Sequence, residues 1–243
     1  MVVDFHYDFS SPFAYLAATQ VGGLAQRTGC EVRWRPLLLG GLFRDLGGVD
    51  VPLLTMPPPK RALVEADLER WAAWWSVPLR WPEQFPLRTV LPLRCVLAHA
   101  EQASQAENVA LAGRIFHAAW GEGRDIGDPQ VLADLGVTRN LLKAAGDQRD
   151  ALRAATEAAK ARGVFGVPTF DIDGRWLVWG QDRLPMVEAM VRGAFAPARS
   201  RQRWASSRSA GAWGGGRMGP VPRRPYAPGG PSRGCERDGT RGA

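Results

Sequence analysis

The alternation of apolar and polar side chains from Val2 to Phe9 predicts a short strand, with Val3, Phe5, Tyr7 and Phe9 on one face and Asp4, His6 and Asp8 on the other. The period then changes, and Tyr15 to Arg27 reads as a helix. Ser11 lies at the junction as a candidate cap, followed by Pro12 at the first helical position, where a missing N–H costs nothing. Cys30 to Leu39 reads as a second strand with Val32, Trp34 and Leu37 inward, and strand, helix and strand at this spacing predict a right-handed βαβ unit with parallel strands. Gly40-Gly41 is expected to break the chain. The stretch 47–59, with Pro52 and the run Pro57-Pro58-Pro59, reads as an irregular, extended loop.

Helical periodicity or caps then recur at Arg61–Ser76, Leu93–Gln105, Glu107–Trp120, Pro129–Leu135, Arg139–Ala145 and Gln148–Arg162, with a proline-rich connector over 78–92. After Gly163, Thr169–Ile172 reads as a strand, Asp173-Gly174 as a hairpin turn, Trp176–Trp179 as the returning strand and Leu184–Phe195 as a last helix. The fold class is α/β: a thioredoxin-like fold interrupted by a large all-helical insertion. Its domains are expected at 1–60 with 163–196 (thioredoxin-like), 61–162 (helical insertion) and 197–243, an Arg/Gly/Pro-rich tail expected to be disordered because it has too little apolar surface to offset its ordering entropy.

Charge sharpens that division. The stretch 197–243 holds ten arginines against two acids, so the formal +7 of the 243-residue chain falls to about −1 once this +8 is removed. A basic tail admits nucleic-acid binding, but a terminal extension without function is the simpler reading. No run is long and apolar enough for a membrane span, and the N-terminus lacks the pattern of a signal peptide, so a cytoplasmic protein is expected. Cys30, Cys95 and Cys235 form neither a disulfide framework nor a metal spacing, and His6, His99 and His117 show no ligand grouping; no metal is expected.

Candidate chemistry gathers at Ser11. A strand end meeting a helix start brings free backbone N–H groups and the positive end of a helix dipole together, a setting that favours an anion. The plainer reading of Ser11 is an ordinary N-cap. Lys60 reads either as a solvated helix start or as a cation at a pocket rim, held for a ligand carboxylate. The cluster Trp71, Trp74 and Trp75 reads first as core and second as substrate wall. Pro168, at the start of a strand, needs a special place because it cannot donate to the ladder.

Five segments, in order, carry a resemblance: Asp8-Phe9-Ser10-Ser11-Pro12-Phe13-Ala14-Tyr15-Leu16, Pro57-Pro58-Pro59-Lys60, Asp67-Leu68-Glu69-Arg70-Trp71-Ala72, Gly166-Val167-Pro168-Thr169-Phe170 and Trp179-Gly180-Gln181-Asp182-Arg183-Leu184. Over about residues 3–195 the sequence resembles the 2-hydroxychromene-2-carboxylate isomerases, DsbA-like proteins related to kappa-class glutathione transferases. The resemblance implies a glutathione cofactor whose sulfur accepts a hydrogen bond from Ser11. It implies Val167 pairing its backbone with the tripeptide beside a cis Pro168, Asp182 and Gln181 at the γ-glutamyl end, and Lys60 at the glycyl carboxylate. Phe13, Trp71, Trp74 and Arg88 fall on the side of a small aromatic carboxylate substrate, with Arg88 standing where the family favours asparagine. A homodimer is implied by the family alone. The implied activity is isomerisation by reversible thiolate addition and bond rotation. A kappa-like transferase and a DsbA-like oxidoreductase are the alternatives. The oxidoreductase is opposed by Ser11-Pro12-Phe13-Ala14, which stands where such proteins carry a Cys-x-x-Cys dithiol.

Overall fold

The computed structural model describes residues 1–49 and 51–195; the basic stretch 197–243 lies outside the described residues. Strand β1 (Val2–Tyr7) leads to helix α1 (Pro12–Thr28) and strand β2 (Glu31–Pro36). Seven of the following helices are α2 (Leu39–Asp45), α3 (Pro52–Thr55), α4 (Pro58–Trp74), α5 (Val90–Ala100), α6 (Gln105–Phe116), α7 (Pro129–Asp134) and α8 (Arg139–Asp147), with a π-helical turn at His117–Gly121 after α6. Helix α9 (Arg149–Arg162) returns the chain to strands β3 (Thr169–Ile172) and β4 (Trp176–Trp179), a 3₁₀ turn (Gln181–Arg183) and helix α10 (Leu184–Val191).

The sheet runs β2-β1-β3-β4. The β1–β2 pair is parallel, as the crossover through α1 requires, and β3 and β4 are antiparallel additions. Phe5 pairs with Trp34 on one side and Phe170 on the other. That register puts the alternating aromatics of β1 into one cluster: Phe5 stacks on Tyr7 and Phe170 at 5.7 and 5.5 Å and meets Trp34 edge-on at 5.1 Å. The opposite face carries polar pairs, Asp4 with Arg35 and Asp171 with Arg162. Helix α1 closes over the sheet with Tyr15, Leu16, Val21 and Leu24 buried, and stops at Gly29, whose φ of +68° admits the left-handed turn that a Cβ would strain.

Strand β2 and helix α10 are shorter than the sequence expectation, and three helix starts differ from it, each because a tertiary contact or a helix-start position overrides local composition. Gly40 and Gly41 lie inside α2. That helix is started from outside: Leu39 N–H donates to the Asp8 carboxylate at 2.7 Å and Leu38 N–H to the Thr156 hydroxyl at 3.0 Å. Pro52 opens the short helix α3 within the stretch read as irregular, and Pro58 and Pro59 occupy the first turn of α4, where no N–H is needed. Pro92 likewise falls in the first turn of α5, which begins at Val90. No helix of the described residues is long and apolar enough to cross a membrane.

Candidate functional site

The β1–α1 junction is the floor of a cavity of about 780 Å³, within the span of about 300–1,000 Å³ usual for ligand pockets. Asp8, Ser11 and Phe13 come from the junction, Leu39 and Phe43 from α2, and Leu53 and Met56 from α3 and its end. The connector before α5 adds Phe85 to Val90, the segment before β3 adds Phe165 to Val167, and Trp179 closes the rim from β4. The wall is predominantly apolar.

Ser11 caps α1 with extended backbone, and its Oγ accepts the Ala14 N–H at 3.2 Å. The plain cap reading of this serine is therefore correct as far as it goes. The same Oγ also donates to the Val167 carbonyl at 3.4 Å, a long contact that leaves the proton easily redirected. The expected convergence of free N–H groups is narrower than the sequence suggests. Pro12 has none, Ala14 N–H serves the cap and Tyr15 N–H returns to the Ser11 carbonyl, so Phe13 N–H is the first-turn donor outside these pairings.

Beneath Ser11, Asp8 ties three walls together. It is 1% exposed. Its carboxylate accepts Ser10 N–H at 2.9 Å and Leu39 N–H at 2.7 Å, and the Thr89 and Ser10 hydroxyls donate to it as well. Burial pushes its pKa above the ordinary carboxylate value, and these hydrogen bonds pull the other way without prevailing. Tyr7, buried beside it, is also raised, by burial first and the Asp8 charge second. Trp120, fully buried, donates its indole N–H to the Phe9 carbonyl at 2.8 Å and fixes the strand end from behind.

The Val167–Pro168 peptide is cis, as is Phe85–Pro86. The Pro168 carbonyl accepts Gly180 N–H at 3.0 Å. Ser11, Val167, Pro168 and Gly180 are thus joined in one backbone-linked series, with Gln181 buried and Asp182 exposed at its end. At the rim Phe165 and Trp179 pack at 5.2 Å, and Gly166 lies close beneath them, where a Cβ would meet the Trp179 indole nitrogen at 3.1 Å.

Of the residues singled out from sequence, Ser11, Phe13, Arg88 and Val167 line the cavity. Pro168, Gln181 and Asp182 stand behind its wall, joined to it through the Gly180 bond. Lys60 is exposed on the first turn of α4, four residues beyond Met56. Trp71 packs on Trp75 at 4.8 Å, and Trp74 is 80% exposed; neither is among the lining residues. Asp8, the α2–α3 wall and the Phe165–Trp179 pair were not singled out by the sequence. The one available signal for Asp8 was a carboxylate just past the end of β1 and three residues before an N-cap. Cys30 and Cys95 are buried thiols outside the lining.

Comparison with known proteins identifies the fold. The family model for a DSBA-like thioredoxin domain matches residues 2–192. A 2-hydroxychromene-2-carboxylate isomerase of Sphingobium xenophagum is 35% identical over 197 residues, 78% of this chain and 97% of that protein. The glutathione S-transferase kappa 2 of Caenorhabditis elegans is 25% identical over 80% of this chain and 93% of its own. Among solved structures, a 2-hydroxychromene-2-carboxylate isomerase superposes with a TM-score of 0.63 at 30% identity, covering 80% of this chain and 96% of that one.

Proposed function

The chain belongs to the DsbA-like thioredoxin family, and from that premise we propose that it is a glutathione-dependent isomerase of 2-hydroxychromene-2-carboxylate-like aromatic acids. The observation that carries the proposal is Ser11: a hydroxyl donor at a helix N-terminus, on the floor of an apolar cavity, facing the backbone of the cis-Pro168 segment. The relatives named as isomerases and as kappa-class transferases support the activity and the cofactor respectively. Glutathione, when bound, supplies a thiolate that adds reversibly to the conjugated acid, so that ring opening and bond rotation occur without net consumption of the thiol.

The protein's own contribution is to hold that sulfur ionised. A free thiol with a pKa of about 8.5 is only about 3% thiolate at pH 7. A hydrogen bond from Ser11 to a charged acceptor is worth roughly 1.5–3 kcal/mol, and the α1 terminus adds about 0.3–1 kcal/mol. At about 1.4 kcal/mol per unit, the thiol pKa falls by roughly 1–3 units and thiolate prevails near neutrality. Ser11 acts as a donor to the nucleophile, and its weak bond to the Val167 carbonyl is the one it gives up. In this reading Val167 pairs its backbone with an extended tripeptide, and Lys60 and Asp182 are the charged partners of its two ends. The aromatic acid occupies the apolar wall of α2, α3 and the connector, which excludes water from the reacting sulfur. Under the same reading the enzyme is a cytoplasmic homodimer, which sedimentation of the purified protein tests.

The direct experiment incubates the protein with 2-hydroxychromene-2-carboxylate with and without glutathione and follows the ring-opened isomer by absorbance. Turnover that requires catalytic glutathione supports the proposal. Stoichiometric loss of glutathione into an adduct identifies a transferase instead, and turnover indifferent to glutathione refutes the role given to Ser11.

A further inference from the structure

Two charged side chains line the cavity among the described residues, Asp8 at the floor and Arg88. They differ in kind. Asp8 is sealed in and its oxygens are engaged by backbone and hydroxyl donors. The Arg88 side chain is 72% exposed, and among the described residues its guanidinium makes one hydrogen bond, from Nη2 to Asp125 Oδ2 at 2.7 Å.

That bond belongs to a built seat. The other Asp125 oxygen accepts Gly127 N–H at 2.9 Å, which fixes the carboxylate. Position 127 has no side chain to spare: a Cβ there would lie 2.9 Å from Arg88 Cβ and 3.2 Å from Nε. Arg88 therefore lies against the Asp125–Gly127 turn. Its own segment is held by Phe85, whose ring meets Trp81 at 5.6 Å and the buried Trp120 at 6.1 Å. An arginine offers five N–H donors in a planar fork, and Asp125 takes one. The remaining donors form the kind of edge that receives a carboxylate in two parallel bonds.

We infer that Arg88 is a specificity-determining residue that receives the carboxylate of an aromatic acid at the cavity rim, with the ring system lying inward over the apolar wall toward Ser11. The inference deepens the function proposed above and rests on that reading for the acid's fate, though not for its binding. A ligand with one anionic group and a flat apolar body matches a cavity with one accessible cation and an apolar wall. The competing occupant of Arg88 is the glycyl carboxylate of glutathione.

The test titrates the full chain with 2-naphthoate, with the neutral 2-naphthamide and, separately, with glutathione, by calorimetry, then repeats all three with Arg88→Gln and Arg88→Lys. The wild-type protein is expected to bind naphthoate about tenfold or more tighter than naphthamide, the range of a charge-assisted hydrogen bond. Arg88→Gln should erase that gap while leaving naphthamide and glutathione affinities unchanged, and Arg88→Lys should keep part of it. Because Arg88 is exposed, thermal melts of the variants should match wild type, which separates recognition from folding. A gap that survives Arg88→Gln, a wild type that shows no gap or does not bind naphthoate, or a glutathione affinity that falls in its place would overturn the inference. An Arg88-dependent gap in a protein that fails to bind glutathione would uphold it and sink the isomerase reading.

Discussion

The floor of the cavity and its rim are built in different ways. The floor turn is closed by contacts between near neighbours in sequence, Asp8 with Ser10, Ser11 with Ala14, and Ser11 N–H with the Asp8 carbonyl, and buried groups then tie it to distant segments: Asp8 to Leu39 N–H, Ser11 to the Val167 carbonyl and Trp120 to the Phe9 carbonyl. The rim is made by contacts between distant segments, Arg88 with Asp125 and Phe165 with Trp179, and of these Arg88, Phe165 and Trp179 are exposed. On the proposed reading, the group that holds the reacting atom is locked by packing and hydrogen bonds, the groups that recognise the ligand stand where a substitution costs little, and chemistry and selectivity can change independently.

Four measurements would break or sharpen that contrast, in falling order of effect. Trp120→Ala removes the fully buried prop of the floor and should cost about 3–5 kcal/mol in urea unfolding; a loss under about 1 kcal/mol would mean the floor is not held from behind. The pH dependence of stability comes next. Asp8 has a folded pKa above its unfolded value, so its contribution is full below the unfolded value, about 3.9, and is lost as pH rises through the folded one. Relative to Asp8→Asn, the wild-type protein should lose up to about 1.4 kcal/mol per pH unit across that window. His6 acts in the other sense. Burial holds its pKa below the usual imidazole value, so stability is lost as pH falls from about 6.5 through the folded value. Equal pH slopes in wild type and Asp8→Asn would remove Asp8 from the account.

Third, Phe165→Ala at the rim should raise the KM for an aromatic acid roughly two- to tenfold, the worth of a ring contact of about 0.5–1.5 kcal/mol, with an unchanged melting temperature. A fall in stability without a change in KM would make the rim pair structural. Last, Trp74→Ala, at a side chain outside the cavity lining and 80% exposed, should shift stability by no more than about 0.5 kcal/mol and leave KM alone. A rise in KM would restore Trp74 to the substrate side.

The same contrast explains what could be read from the sequence. The strand-to-helix turn was legible because its determinants are local: a period-two strand, Ser11 as cap and Pro12 at the first helical position each leave a pattern over a few residues. The hairpin at Asp173-Gly174 was legible for the same reason. Helix α2 was not, because Gly40 and Gly41 argue against a helix and the donors that start it find acceptors at Asp8 and Thr156, far away in sequence. Arg88 drew attention only through the family resemblance, as a departure from asparagine, and its partner Asp125 is 37 residues on and carries no motif. Tryptophan clusters in a helix looked alike on paper; packing separates Trp71 and Trp75, which meet at a tilt, from Trp74, which faces solvent.

The central claim is that Ser11 lowers the pKa of a bound thiol, and the most direct measurement is the ultraviolet thiolate absorbance of glutathione titrated against pH in complex with wild type and with Ser11→Ala. The account predicts a bound thiol about 1–3 units below its free value in wild type, returning by about one unit or more in the variant. The same thiol pKa in both complexes would contradict it.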